Sequence, residues 1–241
     1  MSAQRKIAVI GGTSLLESHL FSGAKEYPIA TPFGKVTLLE KQGLVFLQRH
    51  GMDHYTPPHL INHKANLAGL KEYGITHLLA IGSVGSMKLE HPPGTFLIPD
   101  DFLGLDVCPT FFEDARGHQV PGFDPAWRQQ ILAAWPPSES FGAPVDGGVY
   151  WQTRGPRFET QAEIRMYQAF TDVVGMTVAS ECILARELDL AYAAICIVDN
   201  YANGISDEPL TYAAFKQKVA ENEARLGSLL HILLERLSSH P

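Results

Sequence analysis

Two short stretches of the chain carry the side chains best suited to recognising a ligand. Phe158 and Glu159 lie together in the run 153–160, and Asn200 follows further along. A carboxylate only accepts hydrogen bonds, whereas a side-chain amide both donates and accepts them. Beside an aromatic face, this pair matches the edge of a 6-oxopurine, which shows one N–H donor next to carbonyl and ring-nitrogen acceptors. Taken singly, each residue fits a surface or turn position, so the interpretation depends on the whole set.

A turn after the first apolar run offers backbone donors for an anion. The run 7–10 is wholly apolar and leads into Gly11, Gly12, Thr13 and Ser14. Backbone N–H groups in such a turn, together with the Thr13 hydroxyl, can hold a phosphate group. A purely structural turn explains the motif equally well, because it lacks both the dinucleotide-binding glycine fingerprint and the Gly-Lys-Ser/Thr ending of a P-loop.

Arg49 and His50 follow a second apolar run and bring further donors. A guanidinium group offers a fork of N–H groups that suits phosphate oxygens, although a salt-bridged arginine and a packed histidine are equally consistent with the pattern. Four histidines also match a metal site by number: His50, His54, His59 and His63. Prolines 57 and 58 separate them, and no acidic cluster accompanies them, so the sequence disfavours a metal centre.

Small and hydroxyl-bearing residues end two other apolar segments. Gly82 and Ser83 close one of them, and Met176 and Thr177 follow the other. Ligands of parallel sheets bind beyond the carboxyl ends of the strands, so these residues leave room for a ligand and offer a hydroxyl donor. By itself Met176 fits a core position, and Glu181 fits a favourable interaction with a helix dipole.

The overall composition excludes several classes of function. The chain has 45% hydrophobic and 19% charged residues and a formal net charge of −7, without a Lys/Arg-rich run, which argues against nucleic acid as a partner. It has neither an apolar stretch near the ~18 residues of a membrane span nor a signal peptide, so we expect a cytoplasmic protein. We expect its three cysteines, Cys108, Cys182 and Cys196, to be buried free thiols.

Strand-like and helix-like patterns alternate along the sequence. The predicted strands are 7–10, 36–48, 76–82, 95–99 and 191–198, and the predicted helices are 59–73, 124–134, 160–170, 179–188 and 209–238. The last helix carries a stripe of leucines. Such alternation predicts an α/β fold in which one domain, 1–241, contains a largely parallel sheet covered on both faces. The excursion 104–122 is rich in turn residues, and we expect it to cap a site or to contact a neighbouring subunit.

With these motifs in this order, the chain from Ile7 to about Phe215 resembles the trimeric purine nucleoside phosphorylases, most closely their 5′-methylthioadenosine phosphorylase branch. The resemblance implies a twisted mixed sheet with flanking helices, a homotrimer, and no cofactor or metal. It also implies reversible phosphorolysis, in which inorganic phosphate is the co-substrate and attacks the anomeric carbon of a purine nucleoside.

The resemblance assigns roles to individual residues. By their match to the family motifs, the phosphate site comprises Thr13, Arg49, His50, Gly82, Ser83 and Thr177. The nucleoside site comprises Phe158 on the base, Glu159, Met176 at the ribose, Asn200, Tyr201, Ala202, Ala213, and His118 lent by a neighbouring subunit. Asn200, Glu159 and His50 are the predicted catalytic residues.

Two departures from the methylthioadenosine branch concern the base. That branch has serine where this chain has Glu159, and Asp-x-Asp where it has Asn200, Tyr201 and Ala202. Glutamate with asparagine is instead the base-reading pair of the 6-oxopurine phosphorylases. Since an unpaired buried donor or acceptor costs ~1–3 kcal/mol, adenine nucleosides are expected to lose roughly ten- to a hundredfold or more in specificity constant.

A third departure concerns the 5′ end of the nucleoside. Phosphorylases that prefer a free 5′-hydroxyl place a histidine on the helix after the base-reading loop, whereas this chain has Leu210, Ala213, Ala214 and Phe215 at that helix start. An apolar wall suits a methylthio group and leaves a hydroxyl unsatisfied. The predicted substrate is therefore S-methyl-5′-thioinosine, cleaved to hypoxanthine and 5-methylthioribose 1-phosphate.

Other functions remain open from the sequence alone. The nearest are 5′-methylthioadenosine phosphorylase and inosine/guanosine phosphorylase, which differ only in the base or the 5′ group. A hydrolytic nucleosidase would need no phosphate, and a non-catalytic module would bind purine nucleosides without turnover. A dinucleotide-dependent oxidoreductase is disfavoured by the incomplete glycine motif.

Overall fold

The computed structural model describes residues 5–15, 21–52 and 54–239. The strands are β1 (Ile7–Gly11), β2 (Lys25–Thr31), β3 (Gly34–Lys41), β4 (Leu44–Gln48), β5 (His77–Ser86), β6 (Phe96–Ile98), β7 (Asp101–Leu103), β8 (Val145–Asp146), β9 (Val149–Gln152), β10 (Val173–Gly175) and β11 (Ala191–Tyr201). The α-helices are α1 (His63–Glu72), α2 (Pro125–Ala134), α3 (Gln161–Tyr167), α4 (Val178–Glu187) and α5 (Tyr212–Ser239). Short 3-10 turns cover Thr13–Leu15, Pro58–Leu60 and Ala115–Gly117.

The strands form one mixed sheet in the order β2-β3-β4-β1-β5-β10-β9-β7, with β11 branching from β5, β6 pairing with β11, and β8 pairing with β6. The pairs β4–β1, β1–β5 and β5–β11 are parallel, as the alternating pattern predicts. The first residues of β5 pair with β1, its last two pair antiparallel with β10, and β11 follows its whole length. The sheet therefore divides at the carboxyl end of β5, and this division opens a cleft there.

Each central strand is apolar throughout because both of its faces are covered. In β1, Ala8 and Ile10 belong to one core cluster, while Ile7 and Val9 belong to the cluster on the opposite face. Helices α1 and α4 contact each other on one side, and α2 contacts α5 on the other. The predicted α/β architecture with a mixed, largely parallel sheet is confirmed.

The leucine stripe of α5 is confirmed as a core element. Its members are all almost fully buried: Leu226, Leu229, Leu230, Leu233, Leu234 and Leu237. They join the same apolar cluster as Trp127 and Ile131 of α2. The C-terminal half of α5 is thereby fixed against the sheet, whereas Tyr212 at its start is 67% exposed.

Several sequence-based boundaries are wrong. The predicted strand 36–48 is a hairpin of β3 and β4, because Gln42 and Gly43 both adopt positive φ angles, 54° and 83°, and reverse the chain. The strands β2, β7, β8, β9 and β10 were not predicted. Strand β2 has no buried residue and contains a proline, so it lacks an apolar run, and the others contain only two to four residues.

Two further expectations from the sequence need adjustment. Residues 58–60 form a separate 3-10 turn ahead of α1, whose N-cap is Asn62 accepting from the Ala65 N–H at 3.0 Å. Cys182 and Cys196 are buried free thiols as predicted, but Cys108 is exposed because it lies in the excursion 104–122, away from the sheet. None of the helices in the described ranges has the length and apolarity to cross a membrane.

Candidate active site

A cavity of about 630 Å³ lies at the carboxyl ends of β5 and β11, within the range typical of small-molecule sites. Sequence-predicted residues line most of one side: Thr13, Arg49, His50, Ser83, Phe158, Glu159, Met176, Thr177, Asn200 and Ala202. The other side consists of Tyr55, Pro57, Pro58, Leu210 and one face of α5. The structure thus brings together residues that the sequence separates by more than a hundred positions.

The loop before α3 fixes Phe158 and Glu159 at the cavity wall. Thr160 is the N-cap of α3 and forms a reciprocal capping box with Glu163, which defines where the helix begins. The Glu163 carboxylate also forms an ion pair with Arg157 at 2.8 Å. The Phe158 ring packs edge-on against Phe215 of α5, with centroids 5.6 Å apart.

Glu159 is a buried carboxylate with one side-chain donor in the described structure. It is 7% exposed, and the Thr153 hydroxyl donates to its Oε1 at 2.6 Å. Burial raises the pKa of this carboxyl group, and the Thr153 hydrogen bond opposes the shift. An N–H group of a ligand would satisfy the remaining acceptor capacity of the carboxylate.

A β-bulge near the end of β11 directs two consecutive side chains toward this region. Val198 pairs with Val84 and Asn200 with Gly85, so Asp199 is the extra residue between them. Successive side chains of a regular strand point to opposite faces, and a bulge changes that direction. Asn200 therefore lines the cavity while Asp199 contacts the hydroxyl groups beside it. The Asn200 Nδ2 donates to the Tyr201 carbonyl at 2.7 Å.

Arg49 is held by a buried ion pair that the sequence did not predict. Its Nε and Nη2 donate to both carboxylate oxygens of Glu181, at 2.6 and 2.9 Å, and each side chain is about 1% exposed. The Nη1 and Nη2 groups also donate to the carbonyls of Ile81 and Ile10. Within the described part of the chain, four of the five guanidinium N–H groups have acceptors, and one N–H on Nη1 has none and could bind a ligand. The pair of guanidinium N–H groups that was expected to bind phosphate therefore binds Glu181 instead.

The Arg49–Glu181 pair is embedded in further contacts. Tyr192 donates its hydroxyl to Glu181 Oε2 at 2.8 Å, and His63 Nδ1 lies 3.9 Å from Oε1. Gly12 approaches the guanidinium so closely that a Cβ there would overlap Nη1. The glycine-rich turn therefore serves to admit Arg49, which is a structural role additional to any binding of an anion.

His50 presents an acceptor to the cavity. Its Nδ1–H donates to the Thr56 carbonyl at 2.8 Å, because a carbonyl oxygen can only accept, and Nε2 is consequently unprotonated in the neutral ring. Burial, with a smaller contribution from the Arg49 charge, lowers the pKa of His50 to about 4. The ring stacks on Tyr55 with centroids 5.1 Å apart.

Three hydroxyl residues complete the expected phosphate subsite. Thr13 and Ser83 line the cavity at the ends of β1 and β5, and Thr177 lies at the start of α4. The Thr177 side chain makes no capping hydrogen bond to α4, so its hydroxyl is available to a ligand. The Ser83 hydroxyl instead donates to Asp199 Oδ2 in a short hydrogen bond.

Asp199 is the least expected group at the site. It is 1% exposed, and its Oδ2 also lies 3.5 Å from the Ser14 hydroxyl, while Asn222 of α5 donates to Oδ1 at 2.8 Å. Burial raises the pKa of Asp199 to about 6, against the opposing effect of these three hydrogen bonds. A carboxylate is therefore held next to the hydroxyls expected to bind an anion.

The raised pKa of Asp199 has a consequence for stability. Because the folded chain binds this proton more tightly than the unfolded chain, the free energy of unfolding falls as pH rises from about 4 through 6, by roughly 3 kcal/mol. In Asp199→Asn the group is neutral throughout, so this loss is expected to disappear. Urea unfolding followed by tryptophan fluorescence from pH 4 to 7.5 measures it.

A matched control is available at the other end of the same strand. Asp189 is exposed and precedes β11, so Asp189→Asn makes the same chemical change without burial. Its stability curve is expected to follow that of the unsubstituted protein. Parallel curves for all three proteins would show that ionisation of Asp199 does not affect the fold.

One face of α5 forms the far wall of the cavity. The lining residues recur at helical spacing: Tyr212, Phe215, Lys216, Val219, Ala220 and Glu223. With Leu210 they make a wall that is mainly apolar and aromatic. The periodicity is present in the sequence, but Lys216 and Glu223 interrupt its apolar pattern. The sequence-based prediction selected Ala213 instead.

Four sequence-predicted residues do not line the cavity. Gly82 is buried between β11 and α4, because a Cβ there would meet Cys196 and Val178. Tyr201 points away and donates its hydroxyl to the Leu89 carbonyl. Ala213 and His118 are exposed. The described part of the chain contains no group of three or more His, Cys, Asp or Glu side chains arranged to hold a metal.

Comparisons with known proteins identify the family to which the chain is similar. Residues 6–235 match the sequence profile of the phosphorylase superfamily. The chain is 40% identical over 220 residues to a probable 6-oxopurine nucleoside phosphorylase of Archaeoglobus fulgidus, covering 90% of each chain. It is 39% identical over 226 residues to a probable S-methyl-5′-thioinosine phosphorylase of Methanocaldococcus jannaschii, covering 91% and 88%. Methylthioadenosine phosphorylase from Schistosoma mansoni in complex with adenine superposes with a TM-score of 0.84 at 26% identity, covering 98% and 93%.

Proposed function

The chain belongs to the phosphorylase superfamily, and on that premise we propose that it catalyses the reversible phosphorolysis of S-methyl-5′-thioinosine. The products are hypoxanthine and 5-methylthioribose 1-phosphate. The observation that carries the proposal is the presence of Glu159 and Asn200 on one cavity together with Phe158 and the hydroxyl-rich subsite.

The base is assigned from the hydrogen-bonding capacity of Glu159 and Asn200. The Glu159 carboxylate can accept from the ring N–H of hypoxanthine, and the Asn200 amide can serve the carbonyl oxygen and the imidazole nitrogen. Adenine offers no ring N–H to Glu159, which would leave the buried carboxylate with the Thr153 hydroxyl as its only side-chain donor in the described structure and part of its acceptor capacity unsatisfied. The names of the two archaeal relatives, which refer to 6-oxopurine and methylthioinosine substrates, support this assignment.

The 5′ group is assigned from the wall made by α5. Leu210, Phe215 and Val219 line it with apolar surface, and the histidine found among the described lining residues, His50, belongs to the phosphate side. An apolar wall favours a methylthio group over a hydroxyl group.

In the proposed mechanism, the glycosidic bond breaks to leave an oxocarbenium-like ribosyl group between base and phosphate. Asn200 stabilises the charge that accumulates on the departing purine, and Glu159 holds the ring in position. The Arg49 N–H on Nη1 that has no acceptor among the described residues, with Thr13, Ser83 and Thr177, holds phosphate near the anomeric carbon. Met176 lines the ribose, and inorganic phosphate is the only other reactant, so neither a cofactor nor a metal is required.

The position of Met176 depends on the glycine that faces it. Gly155 has a φ of +61°, and a Cβ at this residue would overlap the Met176 thioether.

We include in the proposal a single domain, a cytoplasmic location and a homotrimer in which His118 of one subunit reaches a neighbouring site. Its exposed position in this chain is compatible with that last role.

A second candidate function is phosphorolysis of inosine or guanosine. It is favoured by Tyr212, Lys216 and Glu223, which are polar members of the α5 wall and can hydrogen-bond a free 5′-hydroxyl. Its substrates have the same 6-oxopurine base, which Glu159 and Asn200 would recognise, and differ from methylthioinosine at the 5′ group.

Specificity constants for methylthioinosine, methylthioadenosine and inosine, measured with saturating phosphate, test the proposal. We expect the specificity constant for methylthioinosine to exceed that for methylthioadenosine by roughly ten- to a hundredfold, because adenine gives the buried Glu159 carboxylate no ring N–H donor. In Glu159→Gln the amide can donate to the unprotonated ring nitrogen of adenine, so this ratio is expected to collapse. A preference for inosine would favour the second candidate, and a preference for methylthioadenosine would overturn the assignment of the base.

A further inference from the structure

Among the described residues, no cationic side chain hydrogen-bonds to the buried Asp199 carboxylate beside the expected phosphate subsite. Asp199 contacts Ser83, Ser14 and Asn222, all of which are neutral. Placing a phosphate dianion next to an ionised, desolvated carboxylate is electrostatically unfavourable. The described surroundings of Asp199 therefore determine which protonation state is compatible with bound phosphate.

The described charged groups near the subsite and on α5 do not offset this effect. From the end of β4, Arg49 is neutralised by Glu181 of α4 at 2.6 Å. From α5, Lys218 acts on the Asp199 carboxyl but is itself paired with Glu221 at 2.5 Å. The Lys216 and Glu223 side chains on the same helix face line the cavity with opposite charges.

Hydrogen-bond directions at the subsite lead to the same conclusion. An ionised carboxylate only accepts, so the Ser83 hydroxyl must donate to Asp199 and presents lone pairs to the cavity. His50, whose Nδ1–H is used by Thr56, likewise presents an unprotonated Nε2. Two residues expected to donate to phosphate are acceptors in this state, and phosphate dianion has at most one proton to give them.

We infer that Asp199 takes up one proton when phosphate binds, and that the Ser83 hydroxyl then reverses to donate to the phosphate. The proton comes from solvent and adds to the Asp199 carboxylate, whose new O–H donates to the Ser83 oxygen. Phosphate remains a dianion and no covalent bond to it changes. Asp199 is thus a positioning residue that acts on phosphate through Ser83. This inference rests on the proposed function, because it requires phosphate to bind in this cavity.

The β-bulge supports a specific role for this residue. Asp199 is the inserted position of β11, and it connects the end of β5 and the turn after β1 to Asn222 of α5. A residue needed only to fill space here would not require three hydrogen-bond donors around it. Burial, which raises the pKa of Asp199 to about 6, places the group within reach of protonation at ordinary pH.

The pH dependence of the phosphate KM tests the inference. If the dianion binds only when Asp199 is protonated, each pH unit above the second pKa of phosphate makes that protonated form about tenfold rarer. The KM for phosphate then rises about tenfold per pH unit. We expect that slope in the unsubstituted protein between about pH 7.5 and 9. In Asp199→Asn, the Nδ2 group mimics the protonated acid by donating to Ser83, so the phosphate KM should be independent of pH. The KM for nucleoside should not vary with pH in this way in either protein.

Asp189→Asn serves as the matched control and should retain the tenfold slope. A flat profile in the unsubstituted protein, or an equal slope in Asp199→Asn, would overturn the inference while leaving the proposed function intact.

Calorimetric titration with inorganic phosphate alone, in two buffers of different ionisation enthalpy, measures proton uptake without any variant. Uptake near one proton at pH 8 supports the inference, and no uptake overturns it. If phosphate neither binds nor supports turnover of any purine nucleoside, the proposed function fails and the inference fails with it.

Discussion

Replacing Asn200 by alanine is expected to lower kcat about a hundred- to a thousandfold, while the KM for phosphate changes only a few-fold. The magnitude is that of removing one preorganised hydrogen-bond donor from the charge that develops in a transition state. Asn200 lines the cavity, and its Nδ2 donates to a carbonyl of its own chain rather than to the phosphate subsite. Single-turnover rates at saturating nucleoside and phosphate measure the effect.

The substitution Asn200→Asp separates loss of the donor from loss of shape. Aspartate is nearly isosteric, but its ionised form cannot donate to the imidazole nitrogen or carbonyl oxygen of a 6-oxopurine. Turnover of methylthioinosine should therefore fall about as far as in the alanine variant. If the aspartate variant keeps full turnover, Asn200 acts by occupying space and not by donating a hydrogen bond.

Replacing Glu181 by alanine is expected to destabilise the fold by about 3–5 kcal/mol, because it leaves the Arg49 guanidinium buried without a counter-charge. Both side chains are about 1% exposed, and the carboxylate also accepts the hydroxyl of Tyr192. Urea unfolding at neutral pH gives the change in the free energy of unfolding. Glu113→Ala, an exposed substitution of the same kind, should change it by less than about 0.5 kcal/mol.

The double variant Arg49→Met with Glu181→Leu distinguishes an unpaired charge from a cavity. With both charges removed, much of the lost stability is expected to return, since apolar residues of similar volume can replace a buried ion pair. Phosphorolysis should not return, because Arg49 lines the cavity. If the double variant is as unstable as Glu181→Ala, the decrease in the free energy of unfolding is due to lost packing and not to an unpaired charge.

The framework of the fold was predictable because its signals are local and repeated. Apolar runs such as 7–10 and 191–198 have both faces buried, and the leucines of α5 recur at helical spacing. The strands that escaped prediction are those in which this signal is missing. Strand β10, for example, contains three residues and acquires its conformation from pairing with β5 and β9.

The partners at the site were harder to predict than its members. Thr13, Ser83, Glu159 and Asn200 were identified by type and motif, but the interactions that define their state come from distant segments. The Arg49–Glu181 pair joins positions 132 residues apart, and the Ser83–Asp199 contact joins positions 116 apart. The local signal in the sequence was Asp199, a single aspartate directly after the apolar run 191–198. An acid at such a position is expected to be buried and therefore to need hydrogen-bond partners.

The two halves of helix α5 have different roles. Its first turns contribute Tyr212, Phe215 and Val219 to the cavity, and its later turns contribute buried leucines to the core. The part of the helix proposed to contact the 5′ substituent is therefore separate from the part whose leucines stabilise the fold. Substrate preference at the 5′ position can diversify by substitutions in this segment while the core and the phosphate subsite stay unchanged. The same independence makes it the natural region in which to redesign the enzyme for other 5′-modified nucleosides.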